Sequence, residues 1–246
     1  MRYLATVQYK GTAYCGWQKQ TVSKLPSVQE EIEKVLSKIL NEDIKIFGSG
    51  RTDAGVHALG QTFHFNTGKH IDFYKFSHGF NELIPNDIVL VDLKEVDENF
   101  HARFSAKGKT YLYKIENKNH FDPFYENLAY QLKTKLDLKA MEEASKVFIG
   151  EHNFQNFTSK EEDDNNFVRN ISKIVFSVDE KFVNIELTGN GFMRYMVRMI
   201  IGNLVQVGLG KLTKEDIEKN LNSDIRKPSS FKAPSEGLYL KEVLYN

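Results

Sequence analysis

Residues 2–40 read RYLATVQYKGTAYCGWQKQTVSKLPSVQEEIEKVLSKIL, and the change of period within this stretch points to the fold class. From Arg2 to Tyr9 apolar and polar side chains alternate, the pattern of a half-buried strand. From Val28 to Leu40 the apolar residues Val28, Ile32, Val35, Leu36 and Ile39 share one helical face, and Ser27 with Glu30 three residues on forms a capping-box pattern at its start. Working outward, a strand near Ile44 to Gly48 precedes a Gly-rich turn and the strand Gly60 to Phe65. A helix from Asp72 to Leu83 stops before Pro85, and Asp87 to Val96 reads as a strand.

The same element order returns in the second half. Lys109 to Glu116 alternates as a strand, and Leu136 to Phe148 is helical with Gly150 as its stop signal. Ile171 to Val178 and Phe182 to Leu187 flank Asp179-Glu180-Lys181 as a hairpin. An apolar helix from Phe192 to about Val207, a polar helix from Lys214 to Leu221 and a strand from Leu238 to Leu244 complete the chain. This repetition predicts an α+β protein of two ferredoxin-like halves. Their mostly antiparallel sheets are expected side by side, with helices on one face and the active-site cleft on the other. The expected halves are residues 1–105, with the Gly-rich loop around Asp53, and 106–246, with a tyrosine strand and an arginine helix. Their boundary near Ala106 rests on the repeated order alone.

Composition narrows the function. The 246 residues carry 33 Lys plus Arg against 33 Asp plus Glu, which excludes a uniformly basic nucleic-acid coater; any polyanion must meet charge gathered on one face. The 18 Phe and 11 Tyr supply enough apolar surface to exclude a disordered chain. The single cysteine, Cys15, allows no internal disulfide and no thiolate cluster, and reads as a small half-buried thiol in a reducing compartment. The seven histidines have no metal-ligand spacing, so no metal is expected. MRYLATVQYK lacks the apolar core of a signal peptide. The apolar stretch from Phe192 to Leu209 is broken by Arg194, Arg198, Gly202 and Asn203, too polar for a membrane span. A soluble, cytoplasmic protein is expected, with the acidic run Glu161 to Asp164 as a solvated loop.

Three segments could carry chemistry. FGSGRTDAGVHALGQ, residues 47–61, surrounds Arg51, Thr52 and Asp53 with glycines, which let a backbone turn sharply or approach a ligand closely. It is neither a P-loop nor a dinucleotide fingerprint, because it leads into a strand and not a helix. A tight turn with Asp53 bonded to its own backbone is the plainer alternative. The strand Thr110 to Glu116 puts Tyr111, Tyr113 and Ile115 on one face. Arg103, Lys107, Lys109, Lys114 and Lys118 face only Glu116 as counter-charge between residues 101 and 119. Such aromatics either pack a core or stack on splayed-out bases. The third segment sets Arg194 and Arg198 one helical turn apart in an apolar run, where each stem either snorkels to solvent or pairs with a carboxylate such as Asp53.

These segments resemble a known family. YKGTAYCGWQKQ, PSVQEEIEKVL, GSGRTDAGVHALGQ, FHARFSAKGKTYLY, GFMRYMVRMIIGNL with VGLG, and APSEGLYL are similar, in order, to the motifs of the tRNA pseudouridine synthase A (TruA) family, from residue 9 to about 242. The resemblance implies isomerisation of uridine to pseudouridine at tRNA positions 38 to 40, in the anticodon stem-loop, by a cofactor-free homodimer. It makes Asp53 the catalytic aspartate. Arg51 would fill the space left by a flipped nucleotide, Tyr111 would pack on the target base, Arg198 would pair with the aspartate, and Gly237 and Leu238 would line the pocket. Two departures stand out: GSG where the family often has GAG, and Lys109 where arginine is common, a point charge in place of a planar fork. The competing expectations are a non-catalytic tRNA-binding protein on the same scaffold and, more remotely, a nucleoside hydrolase. The hydrolase would usually need a second carboxylate, which the motif lacks.

Overall fold

The computed structural model describes residues 1–159 and 166–245; the acidic run Glu161 to Asp164 lies outside them. In chain order the first elements are β1 (Arg2–Tyr9), α1 (Val28–Leu40), β2 (Phe47–Gly48), β3 (His57–Asn66), α2 (Phe73–Leu83) and β4 (Ile88–Val96). Then come β5 (Gly108–Glu116), β6 (Tyr130–Gln131), α3 (Leu138–Ser145), β7 (Gly150–Asn153) and β8 (Val168–Val178). The last are β9 (Val183–Gly189), α4 (Met196–Gly208), α5 (Lys214–Leu221) and β10 (Leu238–Leu244). The chain forms two compact units, Met1–Lys107 with Tyr239–Asn246, and Gly108–Leu238.

In the first unit β1 lies between β4 and β3, antiparallel to both, and β2 pairs antiparallel with β3. With α1 after β1 and α2 after β3, this is the expected ferredoxin-like arrangement. Tyr3, Ala5 and Val7 of β1 and Phe63 and Phe65 of β3 are buried, as are Val28, Ile32, Val35, Leu36 and Leu40 of α1. Leu40, four residues after Leu36, takes the buried place expected of Ile39. Ser27 caps α1, its hydroxyl accepting from the Glu30 N–H at 3.1 Å.

Tyr239–Asn246 groups with the first unit, where β10 pairs in parallel with β3, Tyr239 opposite His57 and Leu240 opposite Ala58. The reason is an open edge. β2 pairs only with Phe63 and His64 of β3 before the chain leaves for the Gly-rich loop, so on that edge the start of β3 remains open and β10 fills it. Gly60 permits the approach, since a Cβ there would stand 2.6 Å from the Lys241 carbonyl oxygen.

The second unit is an antiparallel sheet in the order β5, β9, β8, β7, with β6 added in parallel to β5. The β8–β9 hairpin turns at Asp179, whose carboxylate accepts from the Lys181 and Phe182 N–H groups and the Asn184 amide. These hydrogen bonds hold the acid below the usual carboxylate range. Helix α4 begins at Met196, not Phe192: Tyr195 adopts φ 61°, ψ 3° at its N-cap, and the Met196 N–H closes a turn onto the Met193 carbonyl. Arg194 therefore precedes the helix and does not share a helical face with Arg198. Among the described residues no helix is long and apolar enough to cross a membrane.

The second face of the first sheet carries buried Leu4, Thr62 and His64, covered by the chain from Phe100 to Phe104 and by Tyr245. His64 Nδ1 accepts from the Ala102 N–H at 3.1 Å, and its ring stacks on Phe47 and meets His101 edge-on. Burial, then the neighbouring His101 and Arg2, push its pKa down to about 4 from 6.5. A histidine held neutral in the fold but free to charge when unfolded makes stability rise with pH between those two values. Its slope is at most about 1.4 kcal/mol per pH unit. Thermal denaturation should show the melting temperature falling as pH drops from 6.5 towards 4, and His64→Gln should make that fall shallower.

Candidate active site

Asp53 sits on a loop whose walls are backbone. The loop leaves β2 with the Ser49 N–H bonded to the Thr62 carbonyl, and Gln61 grips it twice, through Ser49 Oγ at 2.8 Å and the Gly50 carbonyl at 3.0 Å. Thr52 is buried between Tyr9, whose hydroxyl lies 2.8 Å from Thr52 Oγ1, and Trp17, whose backbone N–H donates to the Thr52 carbonyl at 3.1 Å. Gly16 pairs with Asp53 as an isolated antiparallel bridge. Asp53 itself is half-buried between buried Thr52 and exposed Ala54, and Arg51 is exposed. The turn closes through main chain, the Val56 N–H donating to the Asp53 carbonyl at 3.2 Å, with Gly55 at φ 76°.

Two glycines of the first motif make this possible. Gly16 has φ 114°, and a Cβ there would lie 2.6 Å from the Thr52 carbonyl oxygen; a Cβ on Gly11 would stand 2.0 Å from the Val56 oxygen. The Gly11 N–H donates to His57 Nδ1 at 3.0 Å, so this nitrogen carries no proton, and the His57 ring lies 4.6 Å from that of Tyr239. The residues of YKGTAYCGW thus form the mould of the Asp53 loop. Burial pushes the Tyr9 hydroxyl far above its ordinary range, against the hydrogen bonds to Thr52 and Gln61, so it stays protonated at any working pH.

The second unit supplies the other residues singled out in the sequence. Tyr111 lies on β5 with 8% of its surface exposed, and its ring stands edge-on to Phe192 at 5.2 Å and 82°. Tyr113, two residues on, is wholly buried and donates to the Pro234 carbonyl at 2.9 Å. Burial above all, then Glu236, holds its hydroxyl well above the usual range, and Arg198 opposes that rise. Gly237 is a glycine because of this ring: a Cβ would lie 2.6 Å from Tyr113 Cζ. Leu238 beside it is 5% exposed. Arg198, in the first turn of α4, is half-buried and donates from Nε to the Ala233 carbonyl at 2.8 Å.

Asp53 and Arg51 therefore belong to the first unit, and Tyr111, Arg198, Gly237 and Leu238 to the second. Tyr111 and Tyr113 have different partners: one meets Phe192, the other is tied into the core by its hydroxyl. Sequence reasoning missed Trp17, His57 and Phe192. All three lie inside the family-like motifs, so the motif boundaries were the available signal.

The loop thus holds a half-buried carboxylate on a backbone fixed by hydrogen bonds, with the exposed Arg51 two positions before it in the chain. The family described as tRNA pseudouridine synthase matches residues 5–105 and 144–246. The tRNA pseudouridine synthase A 2 of Clostridium tetani is 43% identical over 240 residues, covering 98% of this chain and 97% of that one. The tRNA pseudouridine synthases A of Ruminiclostridium cellulolyticum (42% over 241 residues, 98% of each chain) and Acetivibrio thermocellus (40% over 239 residues, 97% of each) are similarly close. The chain belongs to the tRNA pseudouridine synthase family, isomerases that convert uridine to pseudouridine in tRNA.

If the mould of glycines sets the Asp53 loop, Gly16→Ala should cost about 1–3 kcal/mol of stability, as an overpacked site does, and should abolish pseudouridine formation at temperatures where the variant is still folded. Urea denaturation with a parallel activity assay checks both.

Proposed function

We propose that the protein isomerises uridine to pseudouridine at positions 38 to 40 in the anticodon stem-loop of tRNA, acting as a cytoplasmic homodimer with Asp53 as its catalytic residue. The observation that carries this reading is the half-buried Asp53 on a loop moulded by Gly11, Gly16 and Trp17, in a chain of this family. The isomerisation breaks the bond from N1 to C1′, turns the uracil and rejoins it through C5, which gives up its proton while N1 takes one up. It involves no redox step and no net hydrolysis, so acid–base and nucleophilic groups suffice.

Asp53 acts as an ionised carboxylate, either attacking C1′ or taking a proton from C2′ to give a glycal. Arg198 is its cationic partner, since an opposite charge favours the ionised form. Tyr111 packs on the target base. Arg51 takes the place of the flipped nucleotide, and Gly237 and Leu238 line the pocket. Extruding a nucleotide costs a few kcal/mol, offset by about 1–3 kcal/mol of stacking per base and by contacts to the backbone. The basic stretch between residues 101 and 119 supplies part of the charge for such contacts.

A non-catalytic tRNA binder would gain nothing from a carboxylate brought close to phosphates, so the carboxylate is the group to test. On tRNA labelled with tritium at C5 of uridine, Asp53→Asn should bind as the parent does yet release no tritium above background. Tyr111→Phe should keep most activity if stacking dominates, and Tyr111→Ala should lose at least about tenfold more, matching the loss of stacking. Normal release by Asp53→Asn would remove it from the catalytic role.

A further inference from the structure

Tyr195 stands in a conformation that its side chain disfavours. Among the described residues the non-glycine positions with positive φ are Asn41, Asn127 and Tyr195; asparagine adopts the left-handed region readily, whereas a bulky aromatic does so rarely. This backbone turns the ring of Tyr195 beneath three cations. Lys232 Nζ lies 4.2 Å from its centre, Arg194 Cζ 4.9 Å and Arg198 Cζ 5.3 Å. Arg194 Nη2 also donates to the Tyr195 hydroxyl at 3.3 Å.

The gathering is built by packing. The segment from Ser229 to Ala233 is laid along α4 by reciprocal bonds, the Ala233 N–H to the Arg198 carbonyl and Arg198 Nε to the Ala233 carbonyl, and by Asn203 Nδ2 donating to Ser229 Oγ at 2.8 Å. It lies so close that a Cβ on Gly202 would stand 2.5 Å from the Phe231 carbonyl oxygen. That approach carries Lys232 over the ring. On the other side the Arg194 carbonyl accepts from Thr158 Oγ1 at 3.0 Å and from the Ser159 N–H, which pins the backbone from which its guanidinium reaches Tyr195.

Arg194 and Lys232 are exposed, and among the described residues neither forms an ion pair. Both are drawn to the same ring, which brings two like charges towards one another. An anion bound between them would offset their repulsion. The planar arginine fork suits two phosphate oxygens and the lysine adds a point charge. Arg198 is left out of the clamp, because the proposed function assigns it to the carboxylate.

We propose that Arg194 and Lys232, converging over the Tyr195 ring, clamp one backbone phosphate of the tRNA chain. This rests on tRNA being the substrate. The clamp positions the RNA and takes no part in bond breaking. Tyr195 keeps its disfavoured backbone because its ring is the platform that brings the two cations together.

The test is the salt dependence of tRNA binding, measured by filter binding over a range of KCl concentrations. Removing one phosphate neutralisation makes the slope of log K against log salt less negative by about 0.7–0.9. The Arg194→Ala, Lys232→Ala double variant should lose about one such unit and bind roughly tenfold more weakly at low salt. Its kcat at saturating tRNA should stay within about twofold, and its melting temperature should match the parent's. Lys146→Ala, which removes a lysine paired with Glu143, should leave the slope unchanged. Tyr195→Phe should behave as the parent, while Tyr195→Asn, better suited to the left-handed backbone, should melt no lower yet lose the same part of the slope. A double variant with the parent's slope overturns the clamp, as does one whose affinity drops without any change in slope. A parent that binds tRNA but makes no pseudouridine sinks the proposed activity and leaves the slope comparison to decide the clamp; a parent that does not bind tRNA overturns both.

Discussion

The carbonyl group of Thr52 is the point on which the candidate site depends. The Trp17 backbone N–H bonds to it, and the missing side chain of Gly16 lets the backbone of that segment lie against it. Both features come from a segment well before it in the chain, at residues 16 and 17, so the loop carrying Asp53 is shaped by a distant stretch of backbone and not by its own turn propensity alone. Backbone walls suit such a site, because they leave few rotamers to settle and hold a carboxylate with little freedom. The cost is sequence intolerance at Gly11, Gly16 and Gly48, where any Cβ would meet the Val56 carbonyl, the Thr52 carbonyl or the Trp17 indole.

The second unit uses the same device. Gly237 yields space to the Tyr113 ring and Gly202 to the Phe231 carbonyl, so two segments close on the core where a side chain would hold them off. One approach surrounds the strand of Tyr111 and Tyr113; the other delivers Lys232 to Tyr195. Close approach at glycine places the aspartate in one unit and shapes the surroundings of the tyrosine and the arginine in the other. In a tRNA pseudouridine synthase, an enzyme of a large and highly charged substrate, rigid placement of a few groups matters more than the net charge. The neutral total of this chain hides local excesses, such as the cations around Tyr195.

Much of the fold was legible because its elements have clean periods and caps. The helix from Lys214 to Leu221 and the strand from Leu238 to Leu244 have the ends expected from the sequence. The start of α4 was not legible: periodicity runs smoothly through Phe192, and nothing in the sequence marks Tyr195 as left-handed, since tyrosine has no preference for that region. Nor was the pairing of the last strand with β3, because Tyr239 and His57 are separated by most of the chain and leave no local signature. In the site, the density of glycines around Asp53 drew attention to the residue. The reason for those at 11 and 16 appears only when the distant backbones are seen together. Lys232 carries no motif at all, and packing against Gly202 is what gives it a place.

Under the proposed function this loop and this tyrosine strand serve the isomerisation of uridine in the tRNA anticodon arm. The most direct test is to treat unmodified tRNA with the purified protein, block pseudouridines with carbodiimide and map the stops of reverse transcription. Stops confined to positions 38 to 40, absent with Asp53→Asn and without free uracil in solution, are the predicted result. Stops at other positions, released uracil, or an unchanged pattern with Asp53→Asn would contradict it.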